Sequence, residues 1–301
     1  MFRTFISPSL LALLAVNPAF AETTYGDWTV DGDIGAYYQT EGAYSRGLAT
    51  SDLDLRYDFG GFGVAISAIS YALEGYASTS LYGGGTYTFG NGGRITVGAP
   101  RSAYDGYGAS AVGRSDAGLA LSSQLGGGIG ILTQFSMNGN LDDYGIRYDS
   151  ASDGVFSYSG SYHHVDDIGE DVLALGARYE SGAFVVSGGF ERVGLDNDVN
   201  QAAKLQASYS FGQFEVGAYL SQAKFLGSTF NYKEVSGLYH PTDRWALGLA
   251  YGEVNTGLSG ARLTMGSVDY EIVDHVSATL GVTKFDYSPD VSYQMGVKFT
   301  F

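Results

Sequence analysis

Downstream of its first two dozen residues the chain repeats one device: about ten residues alternate apolar and polar, a tight turn follows, and about ten more alternate again. A two-residue period is the mark of a strand with two different faces. Residues 52–59 show it clearly. Leu53, Leu55, Tyr57 and Phe59 fall on one face, and Asp52, Asp54, Arg56 and Asp58 on the other. Gly60-Gly61 then turns the chain into Phe62, Val64, Ile66 and Ala68. Similar turns lie at 89–93 (FGNGG), 125–128 (LGGG), 149–154 (DSASDG), 180–182 (ESG), 211–213 (FGQ), 240–243 (HPTD) and 273–274 (VD). With an opening strand at 28–38 and a closing strand at 291–301, the count is 18 strands. Longer connections are expected at 39–51, 99–117, 138–142, 164–171, 192–202, 222–233 and 253–262.

The apolar faces carry aromatic residues beside the short turns: Tyr57 and Phe59, Tyr87 and Phe89, Tyr179, Tyr209 and Phe211, Tyr239 and Trp245, and Tyr270. In a soluble sandwich the apolar face packs on a second sheet. Strand propensity then explains many aromatics, but not their gathering at one end of each hairpin. Amphipathic rings collect at the headgroup level of a membrane, where they form a girdle. Strands in lipid must close on themselves, because an open edge leaves unpaired amides in hydrocarbon. The pattern therefore predicts an all-β fold, a transmembrane antiparallel β-barrel, with short turns at one end and long loops at the other.

Composition narrows the reading. There are 45 glycines, 24 tyrosines and 17 phenylalanines, and no cysteine. Thiolate metal sites and cysteine nucleophiles are excluded, and so is a disulfide scaffold. Residues 1–21 read as a secretory signal peptide: Arg3 precedes the apolar run LLALLAV at 10–16, and Ala19-Phe20-Ala21 supplies small residues at the cleavage positions. The expected mature chain is 22–301, a single barrel domain. Lys plus Arg number 16 against 32 acids, a formal charge of −16, and removing the signal takes away one base and no acid. Such a balance argues against nucleic acid as a partner.

The last strand alternates Tyr293, Met295, Val297, Phe299 and Phe301 with Gln294, Lys298 and Thr300. The ending YQMGVKFTF resembles the C-terminal assembly signal of bacterial outer-membrane proteins, with Phe301 as its terminal aromatic. With that ending, the whole of 22–301 resembles a Gram-negative porin, most of all the Gly-rich, acidic alphaproteobacterial type. The resemblance implies 16 strands rather than 18. It also implies a homotrimer in the cell outer membrane, reached through the periplasm, in contact with the lipid bilayer and lipopolysaccharide. It implies passive diffusion of small polar solutes and ions, with neither enzymatic activity nor a cofactor.

The charged residues then find a place. A charge facing lipid at mid-depth costs about 2–4 kcal/mol, so the polar faces line the lumen. Asp52, Asp54, Arg56, Arg147 and Arg178 are lumen candidates, together with Asp31, Asp33, Asp58, Lys204, Gln206, Glu234, Lys298 and Thr300. A barrel of this size leaves an aqueous channel. The resemblance further implies that the third outer loop, here 99–116, folds inward as a constriction. Arg101, Tyr104, Asp105, Tyr107, Arg114 and Asp116 are its candidate residues, and Arg56 is the wall arginine facing them. Asp31, Asp33, Asp52, Asp54 and Asp58 outnumber Arg56 on the early strands, which predicts moderate cation selectivity. Other chemistries are weaker. His163-His164 ahead of Asp166-Asp167 reads as a solvated loop rather than a base or a metal site. Asp142-Asp143 and Asp196-Asn197-Asp198 have no calcium-loop pattern. Two alternatives remain: a substrate-specific channel, and a surface-acting barrel enzyme or adhesin.

Overall fold

The computed structural model describes residues 23–25, 28–73, 76–108, 143–151, 154–166, 169–194, 200–225, 227–255 and 260–301. A short β1 (Thr23–Tyr25) pairs with the start of β2 (Trp28–Glu41). There follow β3 (Tyr44–Phe59), β4 (Phe62–Leu73), β5 (Tyr76–Thr88), β6 (Arg94–Ala99), β7 (Tyr144–Asp149), β8 (Phe156–Val165) and β9 (Glu170–Ser181). The second half comprises β10 (Phe184–Val193), β11 (Asn200–Phe211), β12 (Phe214–Phe225), β13 (Ser228–Thr242), β14 (Trp245–Asn255), β15 (Gly260–Val273), β16 (Val276–Phe285) and β17 (Val291–Thr300).

From β2 to β17 each strand pairs antiparallel with its sequence neighbour, and β17 pairs back onto β2. The ring closes with 16 strands, which corrects the count of 18. The difference lies at one hairpin. β6 and β7 pair directly, with Arg94 opposite Asp149 and Gly98 opposite Gly145, so no strand stands between them. The turn assigned to 125–128 lies outside the described residues, within the connection 100–143. Alternation reports a local two-sided pattern, whereas membership of a ring requires hydrogen-bonded neighbours on both edges.

The expected long connections also shorten. Only 42–43 separate β2 from β3, and 226–227 separate β12 from β13. The segments 164–171, 192–202 and 253–262 likewise shrink to the few residues between paired strands, while 138–142 lies outside the described residues. The reason is physical. Near these ends outward positions turn polar, as at Lys233, Glu253 and Arg262, which face one another across β13, β14 and β15. The alternation fades there while the hydrogen-bonded ladder runs on, because the pattern records contact with an apolar medium and not backbone pairing.

Cross-strand partners share a face, so the registers fix the two sides of the wall. Outside, at the end with the short turns, rings touch in series: Trp28 and Tyr57 at 4.7 Å, Phe62 and Tyr87 at 5.0 Å, Tyr87 and Phe89 at 5.1 Å. The series resumes with Phe214 and Tyr239 at 4.6 Å and Trp245 and Tyr270 at 4.6 Å. Inside, Asp31 lies opposite Asp54 and Asp33 opposite Asp52. The inner face is not polar throughout. Tyr219, Tyr232, Leu263, Met265 and Phe285 pack together on the inner face of β12–β16.

Candidate functional site: the loop across the lumen

Residues 100–108 leave β6 and are held against the inner wall by side chains of five strands. The Arg101 guanidinium donates to Asp52 Oδ1 on β3 at 2.9 Å and lies 3.6 Å from Asp105 Oδ2. Ser102 donates its hydroxyl to Glu191 Oε2 on β10 at 2.5 Å. The Ala103 amide donates to Ser161 Oγ on β8 at 2.9 Å, and the Gly108 amide to Ser187 Oγ on β10 at 3.1 Å. His163 Nε2 donates to the Pro100 carbonyl at 2.8 Å. Lys204 on β11 places its ammonium 4.2 Å from the centre of the Tyr104 ring.

The wall is shaped to receive this segment. Gly176 on β9 faces inward, and a Cβ there would overlap the Tyr107 ring and approach the Ala103 carbonyl. At Gly189 on β10 a Cβ would meet the Tyr104 ring and carbonyl at 3.1 Å. These glycines are needed because loop backbone passes where side chains would otherwise stand. Ala103 and Tyr104 are consequently buried, with exposures of 0% and 1%. Burial drives the Tyr104 phenol upward from its ordinary range. Burial also opposes the charge on Arg101, but the carboxylates of Asp52, Asp105 and Asp54 outweigh it, and the guanidinium is held above its usual range.

Each candidate from the sequence can now be placed. Arg101, Tyr104, Asp105 and Tyr107 lie together in the described part of the loop; Arg114 and Asp116 lie outside the described residues. Asp54, Arg56, Arg101, Asp105 and Arg147 line one pocket. Asp54 accepts a hydrogen bond from Ser67 on β4. Arg147 binds Asp149 through Nε at 2.9 Å and Nη2 at 2.7 Å, and donates from Nη1 to the carbonyls of Arg101 and Ser102. Arg178 sits apart on β9, in an exposed pair with Glu180 at 2.7 Å. At the closing strand the Phe301 amide donates to the Gly32 carbonyl at 2.8 Å.

Lys204 lies on the lumen side, as its parity in the sequence indicates. Several participants went unassigned in the sequence: Arg94, Ser102, Ser161, Ser187 and Glu191 all face this space. Glu191 carried a weak signal, since it follows the outward Phe190 and so falls on an inward position. His163 corrects the reading of a solvated loop: it is a buried residue of β8 anchoring Pro100. His164 points to the other face and binds Asp171 at 2.8 Å.

A family model described as Gram-negative porin matches residues 90–290. The chain belongs to the Gram-negative porin family. Solved structures of Rhodopseudomonas blastica porin share the fold of this porin. One engineered variant superposes with a TM-score of 0.64 at 14% identity, covering 91% of this chain and 100% of that one. A second superposes at 0.62 with the same identity and coverage. No curated protein matches this porin significantly in sequence. The porin resides in the outer membrane, its aromatic band meets lipid, and it is a passive diffusion channel rather than an enzyme.

Proposed function

We propose that this porin is a general diffusion channel with a moderate preference for cations. Its constriction is formed by 99–116, with Arg101, Tyr104, Asp105, Tyr107, Arg114 and Asp116 as its residues and Arg56 as the wall arginine, while Asp52, Asp54, Arg147 and Arg178 line the lumen. The observation that carries the preference is the register of β2 and β3, in which Asp31 faces Asp54 and Asp33 faces Asp52 on the inner surface. Asp149, Glu180, Glu215, Glu234 and Asp269 add acids at other inward positions. A low-dielectric wall focuses the field of such fixed charges into the pore and enriches cations there. The acids of the loop and the arginines of the wall add a transverse field that orients dipolar solutes. Screening limits both effects, since the Debye length is about 10 Å at 0.1 M salt.

Reversal potentials in a tenfold KCl gradient across a planar bilayer test the reading. The expected result is a potassium preference that falls as salt rises. A preference for chloride overturns it. Export by the signal at 1–21, contact with lipopolysaccharide and assembly as a homotrimer belong to the same proposal.

A further inference from the structure

The registers sort the charged strand residues to the two sides of the wall, and the sign of the charge differs between the sides. The chain has twice as many acids as bases. Yet among the described residues only two strand acids point outward, Asp171 and Glu253. Five strand bases do: Arg192, Lys224, Lys233, Arg262 and Lys284. All five lie near the loop ends of β10–β16, and the outward positions described on β17 and on β1–β9 carry no lysine or arginine. Asp171 is held by His164 and by the Tyr162 hydroxyl, at 2.8 Å each. Arg192 donates to the Gly194 carbonyl, and Lys284 to the carbonyls of Ser288 and Pro289. Lys224, Lys233 and Arg262 stand exposed on β12, β13 and β15, spread over about 15 Å by three interstrand spacings. Glu253 lies between Lys233 and Arg262 in the register.

The surface beneath these bases is apolar. Val235 and Tyr251 occupy the next outward positions toward mid-barrel, 59% and 47% exposed, and Leu220 and Leu249 lie exposed beside them. The face is therefore greasy below and basic above. A charge deep against hydrocarbon is costly, whereas at the rim the long stems of Lys and Arg lie along apolar surface and lift the charge into the polar layer. A free anion would answer only the upper half of this face. An anion carried on acyl chains answers both halves. We propose that the outer face of β12–β15 at its loop end docks the phosphorylated head group of lipopolysaccharide, through Lys224, Lys233 and Arg262. The acyl chains then lie on Val235, Leu249 and Tyr251. This rests on the lipopolysaccharide contact proposed above and deepens it, by naming the face and the chemistry. Bases at an anionic leaflet surface are attracted to it, and the attraction falls off within a Debye length.

The test is lipid binding to the porin purified from outer membranes in mild detergent. It is titrated with lipid A carrying its phosphates and, separately, with the same lipid A after phosphate removal, and bound lipid is read by native mass spectrometry. The phosphorylated form should bind at about tenfold lower concentration than the dephosphorylated form, an advantage that shrinks as KCl rises. The triple variant Lys224→Gln, Lys233→Gln, Arg262→Gln should lose about tenfold in affinity for the phosphorylated form. Glu253→Gln removes the acid between two of the bases and should bind that form more tightly than wild type; it serves if the triple variant fails to fold. Lys298→Gln, on the inner face opposite Gly35, should bind as wild type does. Equal binding of the two lipid A forms overturns the phosphate docking and leaves the lipopolysaccharide contact standing. Binding of neither form overturns both. Phosphate-dependent binding that neither the triple variant nor Glu253→Gln alters overturns this face as the site.

Discussion

Ser102 in the loop and Glu191 on β10 are joined by a hydrogen bond of 2.5 Å, and both side chains are buried. This contact ties the loop to the wall at β10. Removing the acceptor strands a buried hydroxyl, which costs about 1–3 kcal/mol. Glu191→Ala should therefore loosen the loop and produce larger, noisier single-channel currents. Glu191→Gln retains an acceptor and should lie between the two. Steady wild-type conductance in Glu191→Ala would show that the remaining anchors suffice.

The inward glycines supply an independent test by shape alone. Gly176→Val brings side-chain atoms into the place of the Tyr107 ring. Overpacking of this kind costs about 1–3 kcal/mol, and the loop gives way more readily than the hydrogen-bonded wall. We expect a changed conductance with a barrel that still resists detergent at room temperature. Gly182→Val, at a turn with nothing within 4 Å of the added carbon, serves as a control for conductance; its left-handed φ of 59° makes some loss of stability expected there.

Asp105 and Arg101 should act with opposite signs. Asp105→Asn removes an acid from the pocket and should lower the potassium preference. Arg101→Gln exposes the carboxylates of Asp52 and Asp105, which it now neutralises, and should raise it. Asp116→Asn should act like Asp105→Asn, whereas neutralising Asp196 and Asp198 should have little effect. Reversal potentials decide each case. Shifts of the same sign in the Asp105 and Arg101 variants would contradict the assignment.

Closure of the ring depends on the last strand. Phe301→Lys replaces the terminal aromatic where β17 meets β2, and its backbone amide is bonded to Gly32. Outer-membrane yield should fall sharply, measured as the heat-modifiable band on unboiled gels. Normal yield would show that Phe301 is dispensable for assembly.

Subunit number is open to direct weighing. Outward positions on β4 and β5 include Ala68, Ser70, Thr79, Gly83 and Gly85, with Ser70 and Thr79 hydrogen-bonded to one another at 3.0 Å. Small residues let neighbouring walls approach closely. Mass photometry in mild detergent should give three copies, and a monomer across several detergents would count against the trimer.

The sequence by itself determined the class of the fold, the two faces of each strand and the turns at one end. Alternation is a local property: Leu53, Leu55 and Tyr57 declare a lipid-facing side whatever lies across the ring. The acids of β2 and β3 were legible for the same reason, since inward and outward positions follow from parity alone. Only the tertiary structure decided how many strands close the ring, because the direct pairing of Arg94 with Asp149 joins segments on either side of 100–143. It also decided where the strands end, since the ladder outlasts the apolar pattern at Lys233 and Glu253. Above all it brought Ser102 to Glu191, His163 to Pro100, and Arg94 into one pocket with Arg56. Those meetings depend on barrel closure, which brings distant stretches of chain together across the lumen, and no period along the chain encodes them.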